Sequence, residues 1–203
     1  RIAPIDGAAE DRIIEAAKDG LRHAGVVILS DYGKGVLTDR VLAAVIAAAN
    51  AAGRPVIVDP KGSDYTRYKG ATLITPNRKE AEEALGRKLP DLAAVEEGAG
   101  DLIDLAGLDA AVITLGAQGI YYRTKDGESG HEPTKARAVF DVTGAGDTVV
   151  AHLALHVAAG HPLAAAVALA NQAAGIVVGR LGTNAVEREE LRATLRQQMH
   201  HHG

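Results

Sequence analysis

The chain has 203 residues, 47% of them apolar and 24% charged, a balance that fits one globular domain with a sizeable core and excludes a disordered or fibrous chain. Its net charge is −4 and its Lys and Arg residues are scattered, which argues against nucleic acid or an anionic membrane as partner. The absence of cysteine excludes disulfides, thiolate zinc sites and cysteine nucleophiles, and no apolar run reaches the length of a bilayer span, so the cytoplasm is the expected compartment.

The opening Arg1-Ile2-Ala3-Pro4 lacks both an initiating Met and the plan of a signal peptide, so a piece of a longer chain is expected. A charged helix is predicted over 8–24, followed by a buried strand at 26–29 that ends in Ser30-Asp31-Tyr32-Gly33. A helix over 39–52 stops at Gly53-Arg54-Pro55, and a second buried strand at 56–58 runs into Asp59-Pro60-Lys61-Gly62. Strand, helix, strand in that order implies a parallel pair with a right-handed crossover. The same grammar gives a strand at 71–74, an exit at Pro76-Asn77 and a helix over 78–85 stopped by Gly86.

A helical or irregular stretch at 91–106 leads to a strand at 110–114, which pairs through a tight turn with a strand at 119–123. Residues 124–131 are polar and turn-rich and are expected to form a surface loop. After an extended segment at 138–140, Ala-rich helices are predicted over 145–159 and 163–178, stopped by Gly160-His161-Pro162 and by Gly179, with a third over 187–198. The whole reads as a layered α/β domain with a mostly parallel sheet, whose ligand edge lies at the strand C-termini.

Thr143-Gly144-Ala145-Gly146-Asp147 sits where the extended segment meets a helix. Small residues there leave backbone N–H groups unshielded, which makes an anion site. Asp147 falls in the first helical turn, a position that favours a carboxylate able to take a proton from an attacking alcohol, while Gly144, Ala145 and Gly146 form an anion hole for a transferring phosphoryl group. The alternative is a tight turn with Asp147 as a helix cap. Thr114-Leu115-Gly116-Ala117-Gln118-Gly119 is a second small-residue loop, suited to a nucleotide or to a hairpin turn. Neither is a Walker A loop, because no G-K-[ST] ending occurs.

The chain resembles the ribokinase-type (PfkB) carbohydrate kinases, whose second signature, D-x-[TS]-G-A-G-D, is present as Asp141-Val142-Thr143-Gly144-Ala145-Gly146-Asp147. Asn77-Arg78-Lys79-Glu80 is similar to the family's N-x-x-E motif, and the Thr114, Gly116 and Gly119 loop to its T-x-G-x-x-G nucleotide loop. The resemblance implies an ATP-dependent phosphotransferase with a ribokinase-like α/β/α fold and Asp147 as catalytic base, where it would also touch the substrate hydroxyl. It also implies that Asn77 and Glu80 place Mg²⁺ indirectly through water, and that Asn171, Ala174 and Gly182 line the adenine pocket.

Leu29-Ser30-Asp31-Tyr32-Gly33-Lys34-Gly35, Val58-Asp59-Pro60-Lys61-Gly62, the segment from Tyr68 to Asn77 and the segment from Gly175 to Thr183 are similar to the heptose 7-phosphate kinase branch, which phosphorylates O1 of D-glycero-D-manno-heptose 7-phosphate for lipopolysaccharide core synthesis. By that resemblance Lys34 faces the sugar phosphate and Lys61 the ATP phosphates. Asp31 and Asp59 could orient these lysines, but strand-end Asp residues are also ordinary turn formers, and both stay outside the catalytic set. Residues 1–203 then represent the C-terminal portion of one kinase domain, without the N-terminal strands, most of the sugar pocket, the β lid or a fused adenylyltransferase domain. A homodimer stays open, since the family often dimerises through the lid. Another small sugar or sugar phosphate, such as ribose or a fructose phosphate, and a non-catalytic nucleotide-binding fragment are the alternatives.

His152 and His156 are spaced i, i+4 with His161 beyond, but no Glu base accompanies them, so a structural pair is expected rather than zinc. His200-His201-His202 reads equally as a tag or a natural tail.

Overall fold

A computed structural model of the chain describes residues 3–134, 144–178 and 185–199. Six strands form one sheet in chain order: β1 (Val27–Ser30), β2 (Val56–Asp59), β3 (Leu73–Ile74), β4 (Ala110–Thr114), β5 (Ile120–Thr124) and β6 (Ser129–Glu132). The first four are parallel, with Val27 opposite Val56, Ile57 opposite Leu73 and Leu73 opposite Ala110. β5 and β6 run antiparallel, because the short connections before them leave no room for a crossover.

β6 corrects the expectation of a surface loop over 124–131. Its residues, Ser-Gly-His-Glu, carry no apolar signal because an edge strand is held by its backbone ladder. Gly130 is there for packing: a Cβ would lie 2.7 Å from Cε1 of Tyr122 on the neighbouring strand.

Helices α1 (Gly7–Gly20), α2 (Asp39–Ala51), α3 (Arg78–Leu85) and α4 (Leu92–Ala106) follow the predicted order, and the stretch expected at 91–106 is helical from Leu92 on. Asp6, Thr38, Asn77 and Asp91 each cap one of these helices through a side-chain oxygen that accepts a backbone N–H three residues on. α1 ends before the predicted residue 24. Beyond Gly20 the backbone tightens to i→i+3 bonds, Arg22 N–H to Asp19 and His23 N–H to Gly20. Helices α5 (Ala145–Ala158), α6 (Leu163–Val177) and α7 (Arg188–Met199) complete the described residues, while the expected extended segment at 138–140 and the His tail lie outside them.

Strand alternation divides the apolar residues into two cores. Val56, Val58, Ile74, Ala111 and Ile113 face α1 to α4, whereas Ile57, Leu73, Ala110, Val112 and Tyr122 face α5 and α6. Strands covered on both faces read as unbroken apolar runs, which is why the sequence marked them clearly. Each fully buried Val, Ile or Leu contributes roughly 1.5–3 kcal/mol, so the central strands anchor the α/β/α sandwich. β1 is the exception: Ile28 is 44% exposed, and the strand's outer edge has no partner among the described residues. Also among the described residues, no helix is long and apolar enough to cross a membrane.

Because β1 to β4 are parallel, the loops leaving them share one rim of the sheet. That rim carries Asp31 to Lys34, Asp59 to Lys61, Asn77, and the turn after Thr114. The N-terminus of α5 shares a cavity with the last of these.

Candidate active site

Gly144 starts α5 in the left-handed region, φ +79°, where a side chain would be strained. Among the described residues no side chain caps this end, which leaves the first-turn N–H groups at Ala145, Gly146 and Asp147 without a side-chain partner there. A Cβ at Gly146 would meet no atom within 4 Å, which leaves the backbone unshielded, and Asp147 is exposed beside it. Asp141, Val142 and Thr143, the first part of the signature, lie outside the described residues.

Thr114, Gly116, Gly119, Ala145, Gly146 and Asn171 line one cavity of about 190 Å³, together with Ala174, while Gly182 lies outside the described residues. Asn171 is 3% exposed and donates from Nδ2 to the Pro133 carbonyl at 2.8 Å, so it pins the exit of β6 to α6. The two loop glycines have different reasons. A Cβ at Gly119, φ +96°, would lie 2.0 Å from the Glu132 carbonyl oxygen, so glycine is demanded by the chain crossing there. At Gly116, φ +60°, a Cβ would meet nothing within 4 Å, so only the backbone conformation and the open cavity call for glycine.

An isolated parallel bridge joins Thr114 to Asn77 and brings the second motif alongside. Asn77 Oδ1 accepts from Glu80 N–H at 2.9 Å while Glu80 Oε2 accepts from Asn77 N–H at 3.0 Å, a reciprocal capping box. The other Glu80 oxygen, Oε1, sits 3.2 Å from Lys61 Nζ. Beneath them lies Asp59. Burial pushes its carboxyl up to about 6, and the negative charges of Glu80 and Asp147 push in the same direction. The sequence left Asp59 out because a strand-end Asp beside a turn looks ordinary; only the fold brings Glu80 and Asp147 within electrostatic reach of it.

Lys34 stands apart from this group. It is exposed, makes no ion pair among the described residues, and lines a different opening of about 520 Å³ with Asp31 and Tyr32. His156 stacks on His161 with ring centroids 5.2 Å apart, His152 lies tilted against His156 at 6.2 Å, and burial lowers the pKa of His152 and His156. Among the described residues, no group of three or more His, Cys, Asp or Glu is gathered to hold a metal ion.

Two solved structures share the fold. The Arabidopsis thaliana ribokinase complexed with ribose and ATP superposes with a TM-score of 0.78 at 23% identity, covering 91% of this chain and 59% of that one. Phosphofructokinase-2 from Escherichia coli in complex with potassium gives 0.81 at 20% identity, with 94% and 62% covered. Among curated relatives, the bifunctional protein HldE of Caulobacter vibrioides is 53% identical over 94% of this chain, and that of Trichlorobacter lovleyi 48% over 95%. The chain spans about two fifths, 39%, of the length of each. Residues 2–190 match the family described as pfkB family carbohydrate kinase. The uncapped glycine start of α5, the loop after β4 and the capping box at Asn77 thus sit in a ribokinase-like fold, and the chain belongs to the pfkB family of carbohydrate kinases.

Proposed function

We propose that this chain is the nucleotide-binding and catalytic portion of an ATP-dependent sugar-phosphate kinase that acts on O1 of D-glycero-D-manno-heptose 7-phosphate. The observation that carries the reading is the start of α5, where Ala145 and Gly146 line the same cavity as Thr114, Gly116 and Asn171 and Asp147 follows in the same helical turn. In this arrangement Asp147 accepts the proton of the attacking hydroxyl. The amides at Ala145, Gly146 and Asp147 hold the charge that develops on the transferring phosphoryl group.

The donors near Lys61 suit Mg²⁺ by type: Asp59, Asn77 and Glu80 offer oxygen only. An ion that keeps several waters and is held mainly by the nucleotide's phosphates needs no further protein ligand than these. Bound there, Mg²⁺ supplies positive charge to the phosphate oxygens. Lys61 adds a point charge on the same side, and Glu80 keeps it there.

The heptose phosphate assignment rests on the similarity of the 29–35, 58–62, 68–77 and 175–183 segments to that branch, and on Lys34 as a cation with no ion pair among the described residues at a separate opening of the same rim. The greater length of the curated relatives leaves room for a segment that completes the sugar site and for an adenylyltransferase domain. The product would feed lipopolysaccharide core synthesis in the cytoplasm. The test is ADP release by the full-length protein with heptose 7-phosphate, fructose 1-phosphate, fructose 6-phosphate and ribose. Turnover fastest with the heptose phosphate is the expected result. Transfer to another sugar would move the substrate, and ATP binding without transfer to any of them would reduce the chain to a nucleotide-binding module.

A further inference from the structure

The loops leaving β1 and β2 carry Lys34 and Lys61, and a buried phenol lies between them. Tyr68 closes a 3-10 turn at Tyr65–Tyr68 and is 0% exposed. Its hydroxyl accepts from the Lys61 backbone N–H at 3.0 Å and has two possible acceptors for its own proton, Asp31 Oδ2 at 2.8 Å and the Lys61 carbonyl at 3.1 Å. A phenol has one proton, and the nearer, charged oxygen of Asp31 makes the stronger bond. Burial pushes the Tyr68 pKa up, so the group remains a donor through the neutral range.

Asp31 is itself buried and held from three sides. Its Oδ1 accepts from Gly33 N–H at 2.8 Å, which fixes the turn that carries Lys34. Its Oδ2 takes the Tyr68 bond and lies 3.4 Å from Arg67 Nη1, while the rest of the Arg67 head is bound to Asp39 and to the Leu37 carbonyl. The two loops also touch directly: a Cβ at Gly33 would meet Lys61 Cγ at 3.6 Å, and Asp31 N–H donates to the Asp59 carbonyl at 2.9 Å. The chain of contacts therefore runs Gly33, Asp31, Tyr68, Lys61. Each link is a hydrogen bond, and among the described residues only the Tyr68 hydroxyl joins the Asp31 carboxylate to the Lys61 backbone.

We propose that Tyr68, acting through Asp31, is a positioning residue: it fixes the separation of the two loops and so holds the sugar-phosphate lysine, Lys34, and the nucleotide-phosphate lysine, Lys61, at the spacing that transfer requires. This rests on the kinase reading above, because that reading gives the two lysines their separate tasks. Tyr68 reaches neither ligand. A wholly structural tyrosine would stabilise the domain without setting how the two loops move together.

Tyr68→Phe separates these possibilities, because it keeps the ring against Tyr65 and removes only the hydroxyl. In the full-length protein, amide hydrogen exchange is expected to quicken about tenfold in both 31–35 and 61–62, with 56–58 and β4 unchanged, since a lost buried hydrogen bond acts locally. The KM for nucleotide and the KM for sugar phosphate are both expected to rise, by about three- to tenfold, while kcat falls less. In a Lys61→Ala background the further effect of Tyr68→Phe on nucleotide KM should shrink below about twofold, the non-additivity of two residues acting through one contact. Should the Tyr68→Phe protein fail to fold, Asp31→Asn, which keeps the side-chain shape, is expected to show the same two-loop exchange. Faster exchange in one loop alone, in neither, or a lowered melting temperature with both KM values unchanged would overturn the proposal. A wild-type protein that transfers no phosphoryl group would instead remove the kinase reading, while the exchange result would still decide whether Tyr68 ties the loops.

Discussion

Lys61 Nζ and Glu80 Oε1 stand 3.2 Å apart, so two side chains that sequence reasoning gave to different partners hold one another. Glu80 is the more enclosed of the two, its side chain 17% exposed against 55% for Lys61, and its second oxygen is committed to the capping box. A pair this open to solvent contributes only ~0–1 kcal/mol, so an arriving nucleotide can draw Lys61 away at small cost. Lys61→Ala is therefore expected to lower the melting temperature by no more than about 2–4 °C, yet to weaken ATP binding about tenfold through the lost charge-assisted contact. Calorimetric titration beside a thermal melt checks both. Unchanged ATP affinity would take Lys61 out of the phosphate site.

Asp147→Asn keeps the shape of the first turn of α5 and leaves the amides in place, so nucleotide affinity is expected to change by less than about threefold. Without a proton acceptor for the attacking hydroxyl, kcat should fall by on the order of 10²–10⁴. Single-turnover kinetics with the full-length protein separates the two effects. Retained turnover would assign the proton to another group and leave Asp147 as a helix-start residue only.

Asp59 makes the stability of the domain depend on pH. Its carboxyl titrates near 6 in the fold against an ordinary 3.8, raised first by burial and then by Glu80 and Asp147, so the folded chain holds this proton more tightly than the unfolded one. Below about pH 4 the group is protonated in both states and is neutral to stability; between about pH 4 and 6 its contribution turns unfavourable, and above that it stays so. Asp59→Asn removes this dependence. The variant should exceed the wild type at about pH 7 by on the order of 1 kcal/mol, a figure already reduced for the residue's partial exposure, and should match it at about pH 4. Mg²⁺ bound at the proposed site beside Asp59 would oppose the same penalty, so its addition should raise the wild-type melting temperature more than that of the variant. Denaturant titrations at the two pH values, with and without Mg²⁺, test this; equal stabilities at neutral pH would show that Asp59 carries no such strain.

The parts that were legible in the sequence are those governed by local rules. Val56-Ile57-Val58 and Ala110 to Ile113 announced themselves because strands covered on both faces are apolar throughout, and Arg78–Leu85 was bounded correctly by its Asn77 cap and Gly86. β6 was missed since Ser129, Gly130 and His131 owe their place to a neighbour's backbone and to the ring of Tyr122, neither of which leaves a mark in the strand's own residues. In the site, glycine spacing revealed the loops around Gly144 and Gly116. Tyr68, by contrast, stood only at the start of the 68–77 resemblance with no role of its own, and its bonds to Asp31 and Lys61 span 37 and 7 positions of chain. Periodicity cannot report contacts at such range, so the support beneath the two lysines came from the fold alone.

Gly116 and Gly119 share a motif but not a reason, and alanine should tell them apart. At Gly119 a methyl group would sit 2.0 Å from the Glu132 carbonyl oxygen and 2.7 Å from Thr134 N, with the backbone already at φ +96°. Neither neighbour can give way without parting β6 from the loop, so Gly119→Ala is expected to destabilise the domain by on the order of 3 kcal/mol or more, a backbone clash added to left-handed strain. At Gly116 the methyl group enters open space and only the left-handed conformation at φ +60° resists it, which costs about 1 kcal/mol. That same methyl group points into no protein atom within 4 Å beside the cavity shared with Ala145 and Gly146, so Gly116→Ala should fold and yet bind ATP more weakly. Denaturant unfolding ranks the two variants, and a nucleotide titration of the Gly116→Ala protein completes the comparison. If that variant binds ATP as the wild type does, Gly116 serves the turn rather than the ligand.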